Sequence, residues 1–150
     1  MAGARADQHE FLEPEEHRAW HGLLSTSQAV LRSLDARLRA EVGLTVTEFD
    51  VLITLFNAPD GRLGMSALAS RVMLSPSGLT HLVTRMERDG LLRREVDSSD
   101  GRKFHAVLTD EGDERLRRAR LPHNDVLRSE LLDRLSSSER RTLAELARFA

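Results

Sequence analysis

The stretch Ser66–Leu108 constrains the fold most, because it joins a doubly capped amphipathic helix to two short extended runs. Ser75 can accept an orphan backbone N–H at a helix start. Pro76 follows at the first helical position, where its missing donor costs nothing. Gly90 sits where a left-handed residue closes a helix. Between these ends Leu79, Leu82, Val83 and Met86 recur at helical spacing and form one apolar face. The opposite face carries Ser77, Thr80, His81, Thr84, Arg85 and Arg88, with Glu87 at its flank. Such a helix can pack on a core with one side and lie in a DNA major groove with the other. The shorter run before it, about Ser66–Met73, offers Leu68, Ala69 and Val72 to the same core. The Leu74–Ser75 turn is short enough to set the two helices at a large angle, as a helix-turn-helix requires. Taken alone, this pair fits any helical hairpin equally well.

The residues after the pair narrow the choice. Leu91–Val96 and Lys103–Leu108 are extended-looking runs, and Phe104, Ala106 and Leu108 alternate with Lys103, His105 and Val107 as in a half-buried strand. Between them Asp97–Arg102 is all turn chemistry, ending on a guanidinium. A hairpin with Arg102 near its tip can probe an adjacent minor groove, where narrow A·T tracts concentrate negative potential. Asp100 is placed to support it by a bidentate pair. The bland reading is a solvated hairpin whose charges only maintain solubility.

The run LSPSGLTHLVTRMERDGLLRRE, followed by DGR and LTDEG, closely resembles the winged helix-turn-helix of the MarR family of bacterial transcription regulators. The family's wing pattern is Asp, any residue, Arg, five further residues and then Leu-Thr-x-x-Gly. Here Asp100, Arg102, Leu108, Thr109 and Gly112 stand at that spacing. At Gly101 many members carry a second Arg, so this wing has fewer cations at its tip. The resemblance takes in the flanking helices and implies a fold that is mainly α with a small β wing. It would be one domain over residues 1–150: a winged helix-turn-helix at about 45–108, and N- and C-terminal dimerisation helices at about 13–42 and 110–150. It implies double-stranded DNA and a second copy of the chain as partners. In that family small aromatic or phenolic anions bind between the helical region and the winged domain, and Trp20, His21 and Phe49 are the residues expected near such a cavity. No cofactor is implied.

Charge supports this weakly. The formal net charge is -2, yet Arg62–His105 contains 8 basic and 5 acidic residues, a local +3 in an otherwise acidic chain. The chain has no cysteine, which excludes disulfides, a thiol redox switch and zinc–thiolate sites. No run has signal-peptide or membrane-spanning character, so a cytoplasmic protein is expected. Residues 1 to about 12 read as a loose polar arm.

From about Glu15 to Glu41, Trp20, Leu23, Leu24, Ser27, Val30, Leu31, Leu34 and Leu38 form a continuous helical stripe. It is longer than the winged core needs, which points to a partner helix. Thr45 with Glu48 fits a capping box, and Leu44 with Phe49 a hydrophobic staple. Phe49, Leu52, Ile53 and Phe56 are the expected inner face of that helix. Arg62–Met65 offers a short strand beside the wing. Thr109 opens another helix, which Pro122 is expected to interrupt. Ser136 and Glu139 cap a last helix striped by Leu143, Leu146, Ala147 and Phe149.

Catalytic motifs are missing: no Gly-rich phosphate loop, nucleophile elbow or paired-carboxylate motif occurs. The best alternative chemistry is His17 and His21, at i and i+4, which could hold a transition metal with help from Glu13 or His123. A helical protein-interaction module without DNA binding is the other alternative. For the expected regulator, Ser77, Thr80, His81, Thr84 and Arg85 are the base and phosphate contacts. Ser75 and Arg88 are assigned to phosphate, and Arg102 with Lys103 to the wing's contact.

Overall fold

The structure, a computed structural model, describes residues 12–146. Six helices run in order with three strands: α1 (Pro14–Val42), α2 (Val46–Phe56), β1 (Arg62–Gly64), α3 (Met65–Arg71), α4 (Pro76–Arg88), β2 (Leu92–Val96), β3 (Phe104–Leu108), α5 (Asp110–Glu130) and α6 (Ser137–Glu145). The strands form one antiparallel sheet in the order β1-β3-β2. Arg62 pairs with Val107 across β1 and β3, and Leu92 pairs with Leu108 across β2 and β3. The fold is mainly α with a small β wing, as expected.

Local signals place most helix ends. The Thr45 side chain accepts from Glu48 N, and Ser75 Oγ accepts from Gly78 N at 3.1 Å. Gly90, at φ 76°, follows the last turn of α4. Ser136 and Glu139 form the capping box of α6. Met73 takes φ 52° in the turn between α3 and α4, where its side chain stands 82% exposed. An L-residue in that region is strained, so the turn is held by its flanking helices.

One core cluster gathers Leu38 and Val42 of α1, Phe49, Val51, Leu52 and Leu55 of α2, Leu68 and Ala69 of α3, and Leu79, Leu82, Val83 and Met86 of α4. Leu44, Val72, Leu91 and Leu92, with Ala106 of β3 and Leu116 and Ala119 of α5, complete it. The apolar face expected for α4 is therefore the buried one. A second, small cluster of Val30, Leu34 and Val126 joins α1 to α5.

Several expectations are corrected. Phe56 turns outward at 43% exposure, and its ring carries the Arg120 guanidinium 4.4 Å from the centroid. Val51 and Leu55 take the interior instead, because α2 is covered by α1, α3, α5 and the sheet on more than one side. In β3 Val107 is buried and Phe104 is 44% exposed. Pairing with β1 and β2 covers only the edges of this strand; contacts with α2 and α3 bury its core end, while Phe104 stands at the exposed tip. Helix α5 continues through Pro122 as a single element. The buried ring takes a place in the helix packing that offsets one lost hydrogen bond. The expected polar arm and the Ala147 and Phe149 end of the last stripe lie outside the described residues.

Candidate nucleic-acid interface

The exposed face of α4 is built from rows four residues apart. Ser77, His81 and Arg85 make one row, and Thr80, Thr84 and Arg88 the next; all six are exposed. The Thr80 hydroxyl donates to Pro76 O and the Thr84 hydroxyl to Thr80 O, both at 2.9 Å. Their protons are thus engaged by the helix, and each side chain offers an acceptor and a methyl group. Ser75 Oγ serves as the helix cap and lies 3.3 Å from Ser77 Oγ. Arg88, 74% exposed, lies 3.4 Å from Asp89.

Arg85 is held differently from the other cations. Its Nε donates to Glu48 Oε1 at 3.0 Å, and its Nη2 lies 2.9 Å from the same oxygen. Glu48 is buried at 6% exposure. Its other oxygen accepts from Thr45 N at 2.7 Å and from Thr45 Oγ1 at 3.0 Å. Next to that cap, Val46 N donates to Asp35 Oδ1 of α1 at 3.1 Å. Asp35 is itself held below its ordinary carboxylate range, first by Arg39. One polar chain therefore links α1, the start of α2 and the exposed face of α4.

The wing is clamped to α4 by Glu87, which accepts from Arg94 N and Arg94 Nε, both at 2.8 Å. At the tip, Asp97 Oδ1 accepts from Ser99 N and Asp100 N. Asp100 Oδ1 accepts from Arg102 N at 3.1 Å and from Arg102 Nε at 3.3 Å, while Oδ2 lies 3.6 Å from Lys103 Nζ. The expected bidentate fork is thus replaced by one oxygen that takes the backbone and side chain of Arg102 together. Short spacing along the turn favours this arrangement, and it leaves the guanidinium 93% exposed beyond the tip.

These carboxylates give the wing a pH dependence of known sign. Backbone donation from Arg94 holds Glu87 below its ordinary value, and the Ser99 hydroxyl first of all pushes Asp97 down to about 2. A depressed folded-state value contributes stability in full above the unfolded value, and loses it as pH falls through the folded one. Wing amides should therefore lose hydrogen-exchange protection between about pH 4 and pH 2, before those of the α2–α4 core. Wing protection that tracks the core throughout would contradict this.

The other candidates are dispersed. Trp20 and His21 are exposed on the N-terminal half of α1, whereas Phe49 is buried in the core and stacks on His123 at 4.2 Å. The single chain does not assemble them into a cavity, because the intervening helix length separates them. His17 and His21 stack at 6.4 Å between centroids. His123 is committed to Phe49 and to Asn124. Among the described residues no group of three or more His, Cys, Asp or Glu is arranged to hold a metal. Sequence reading missed Glu48 as part of this surface. The residue is legible as a cap, but its partner lies 37 residues away and no local pattern announces it. Glu87–Arg94 was equally unmarked.

Known proteins share this architecture. The MarR family model matches residues 44–104, from the start of α2 to the second wing strand. The transcriptional regulator HosA of Escherichia coli O157:H7 is 32% identical over 105 residues, which are 70% of this chain and 76% of HosA. The chain belongs to the MarR family. A MarR family transcriptional regulator of Streptomyces coelicolor, Sco3205, solved in complex with DNA, superposes with a TM-score of 0.88. It is 34% identical, and the match covers 93% of this chain and 90% of that one. The regulator YkoM of Bacillus subtilis is 38% identical over 76 residues, 51% of this chain, and the match spans only 48% of YkoM. These relatives are transcriptional regulators, and Sco3205 shares the winged-helix architecture of this chain. No helix among the described residues is long and apolar enough to cross a membrane.

Proposed function

We propose that the chain acts as a homodimeric, sequence-specific DNA-binding regulator, a repressor, on a palindromic operator. The observation that carries this reading is the exposed, hydrogen-bonding and cationic face of α4, set beside a wing whose tip cation is 93% exposed. Each α4 enters a major groove, and each wing probes the flanking minor groove. Ser77, Thr80, His81, Thr84 and Arg85 face the bases and nearby phosphates. The outward methyls of Thr80 and Thr84 suit thymine methyl groups. Ser75 and Arg88 lie towards phosphate, Arg102 towards the minor groove and Lys103 towards the backbone beside it. Asp100 supports the wing.

Dimerisation is supported by the part of the α1 stripe that stands exposed among the described residues. Trp20, Leu23 and Leu31 are 53%, 46% and 50% exposed, and Leu146 of α6 is 44% exposed. The unit is a single domain, with the winged helix at about 45–108 between helical regions at about 13–42 and 110–150. It performs no catalysis in this role and resides in the cytoplasm with its DNA. A small aromatic effector enters through the family alone, and it releases the operator only to the extent that it prefers a mismatched spacing of the two α4 helices.

The test is a salt titration of binding to the DNA upstream of its own gene, comparing Arg88→Ala and Arg102→Ala with the unaltered chain. Loss of a phosphate contact should weaken binding on all sequences and reduce the salt slope by about one unit. Binding that is absent or insensitive to salt would favour the protein-interaction reading. Stoichiometric metal retained by the purified protein would favour a role for His17 and His21.

A further inference from the structure

We infer that Glu48 is a specificity-determining positioning residue, which acts on DNA through Arg85 without touching DNA itself. The inference rests on the regulator reading above and concerns the same surface. Among the described residues Glu48 is the buried charged side chain, at 6% exposure. Both its oxygens are occupied: Oε2 by the backbone and hydroxyl of Thr45, and Oε1 by Nε and Nη2 of Arg85. The Arg85 side chain is nevertheless 48% exposed and shares a row with Ser77 and His81. One edge of its guanidinium is therefore tied inward while the remainder faces outward.

Charge and geometry together set the consequence for binding. A long, untethered arginine on a recognition helix finds a phosphate on any sequence and adds about one released counterion to binding. An arginine whose charge is matched by a buried carboxylate contributes little to that indiscriminate attraction. Its outward N–H groups point in one fixed direction, so they help only where an acceptor lies there. Glu48 is itself immobilised as the third residue of α2, in the capping box with Thr45, so the tether has no slack. Removing the carboxylate charge should trade discrimination for general affinity.

The test uses the full-length chain with two variants, Glu48→Gln and Arg85→Gln. Binding is titrated against salt on an operator selected from random duplexes and on a scrambled duplex. In Glu48→Gln the introduced amide oxygen can still accept from Thr45 N, which keeps the cap. Glu48→Gln should raise the salt slope on scrambled DNA by about one unit, strengthen binding there several-fold and lower the operator-to-scrambled ratio about tenfold. Arg85→Gln should lower that ratio similarly, but change the scrambled-DNA slope by much less than one unit. It provides an independent reading should Glu48→Gln not fold. An Arg85→Gln slope lower by a full unit, or a Glu48→Gln chain with unchanged slope and ratio, would overturn the inference. Binding by the unaltered chain in those same titrations would leave the regulator reading standing. Salt-independent or absent binding by the unaltered chain would overturn both.

Discussion

Gly112→Ala should destabilise the protein by about 3–5 kcal/mol and lower its melting temperature by about 10 °C. A Cβ at this position would lie 2.0 Å from Leu91 O and 2.9 Å from Leu108 Cδ1. The obstacle is backbone, so no rotamer change relieves it. The first turn of α5 would have to lift from the segment that ends the recognition helix. Two bonds resist that movement: Thr109 Oγ1 donates to Gly90 O at 2.7 Å, and Thr109 N donates to Leu91 O at 3.4 Å. The Leu-Thr-x-x-Gly signature is therefore a packing device, in which threonine caps α5 and glycine lets it approach Leu91. A folded domain is stable by only about 5–15 kcal/mol, so this one methyl group would remove much of the margin. Thermal and denaturant melts check it. Gly22→Ala is the control, because a Cβ there meets nothing within 4 Å on an exposed helix, and alanine should stabilise by up to about 1 kcal/mol. A Gly112→Ala protein that melts with the unaltered chain would show that the α5–Leu91 contact is not as close as described.

Leu23→Glu combined with Leu31→Glu should leave the chain folded, convert it to a monomer and weaken operator binding by about 10²–10⁴-fold. Both residues are about half exposed in the single chain, so the intramolecular core, centred on Leu38 and the α2–α4 cluster, loses little. Two carboxylates placed on a surface that closes against its own copy would meet two more across a twofold axis. Burying a charge without a partner costs far more than the about 1 kcal/mol that each half-buried leucine contributes. Each chain would then keep one recognition helix and lose the effective concentration supplied by the second. Sedimentation reads the assembly, and titration on an inverted repeat reads the affinity. An unchanged oligomer with unchanged binding would move the interface away from the α1 stripe.

Local chemistry was well legible in this sequence. Ser75 with Pro76, Thr45 with Glu48, Thr109 and Ser136 with Glu139 all mark helix starts by short-range hydrogen bonds, and each does so in the structure. The buried face of α4 followed from spacing alone. Sequence reading failed where the outcome depends on what lies opposite. Phe56 faces outward because Val51 and Leu55 fill the space beneath α2, and Val107 is buried next to Ala106, against strand alternation, where α2 and α3 pack on β3. Pro122 lies within a continuous helix because packing outweighs a local preference. The Glu48–Arg85 and Glu87–Arg94 pairs require three-dimensional proximity, for which residue order carries no signal. Arg85, expected from sequence as a base or phosphate contact, is the residue to whose surroundings the structure adds most, through its tie to the buried Glu48.

Selection of bound duplexes from a random library by the purified, full-length chain tests the account most directly. It predicts enrichment of an inverted repeat whose half-sites are centred about one helical turn apart, two chains bound per duplex, and affinity that falls steeply with salt. Recovery of no common sequence, with one chain per duplex or binding indifferent to salt, would contradict it.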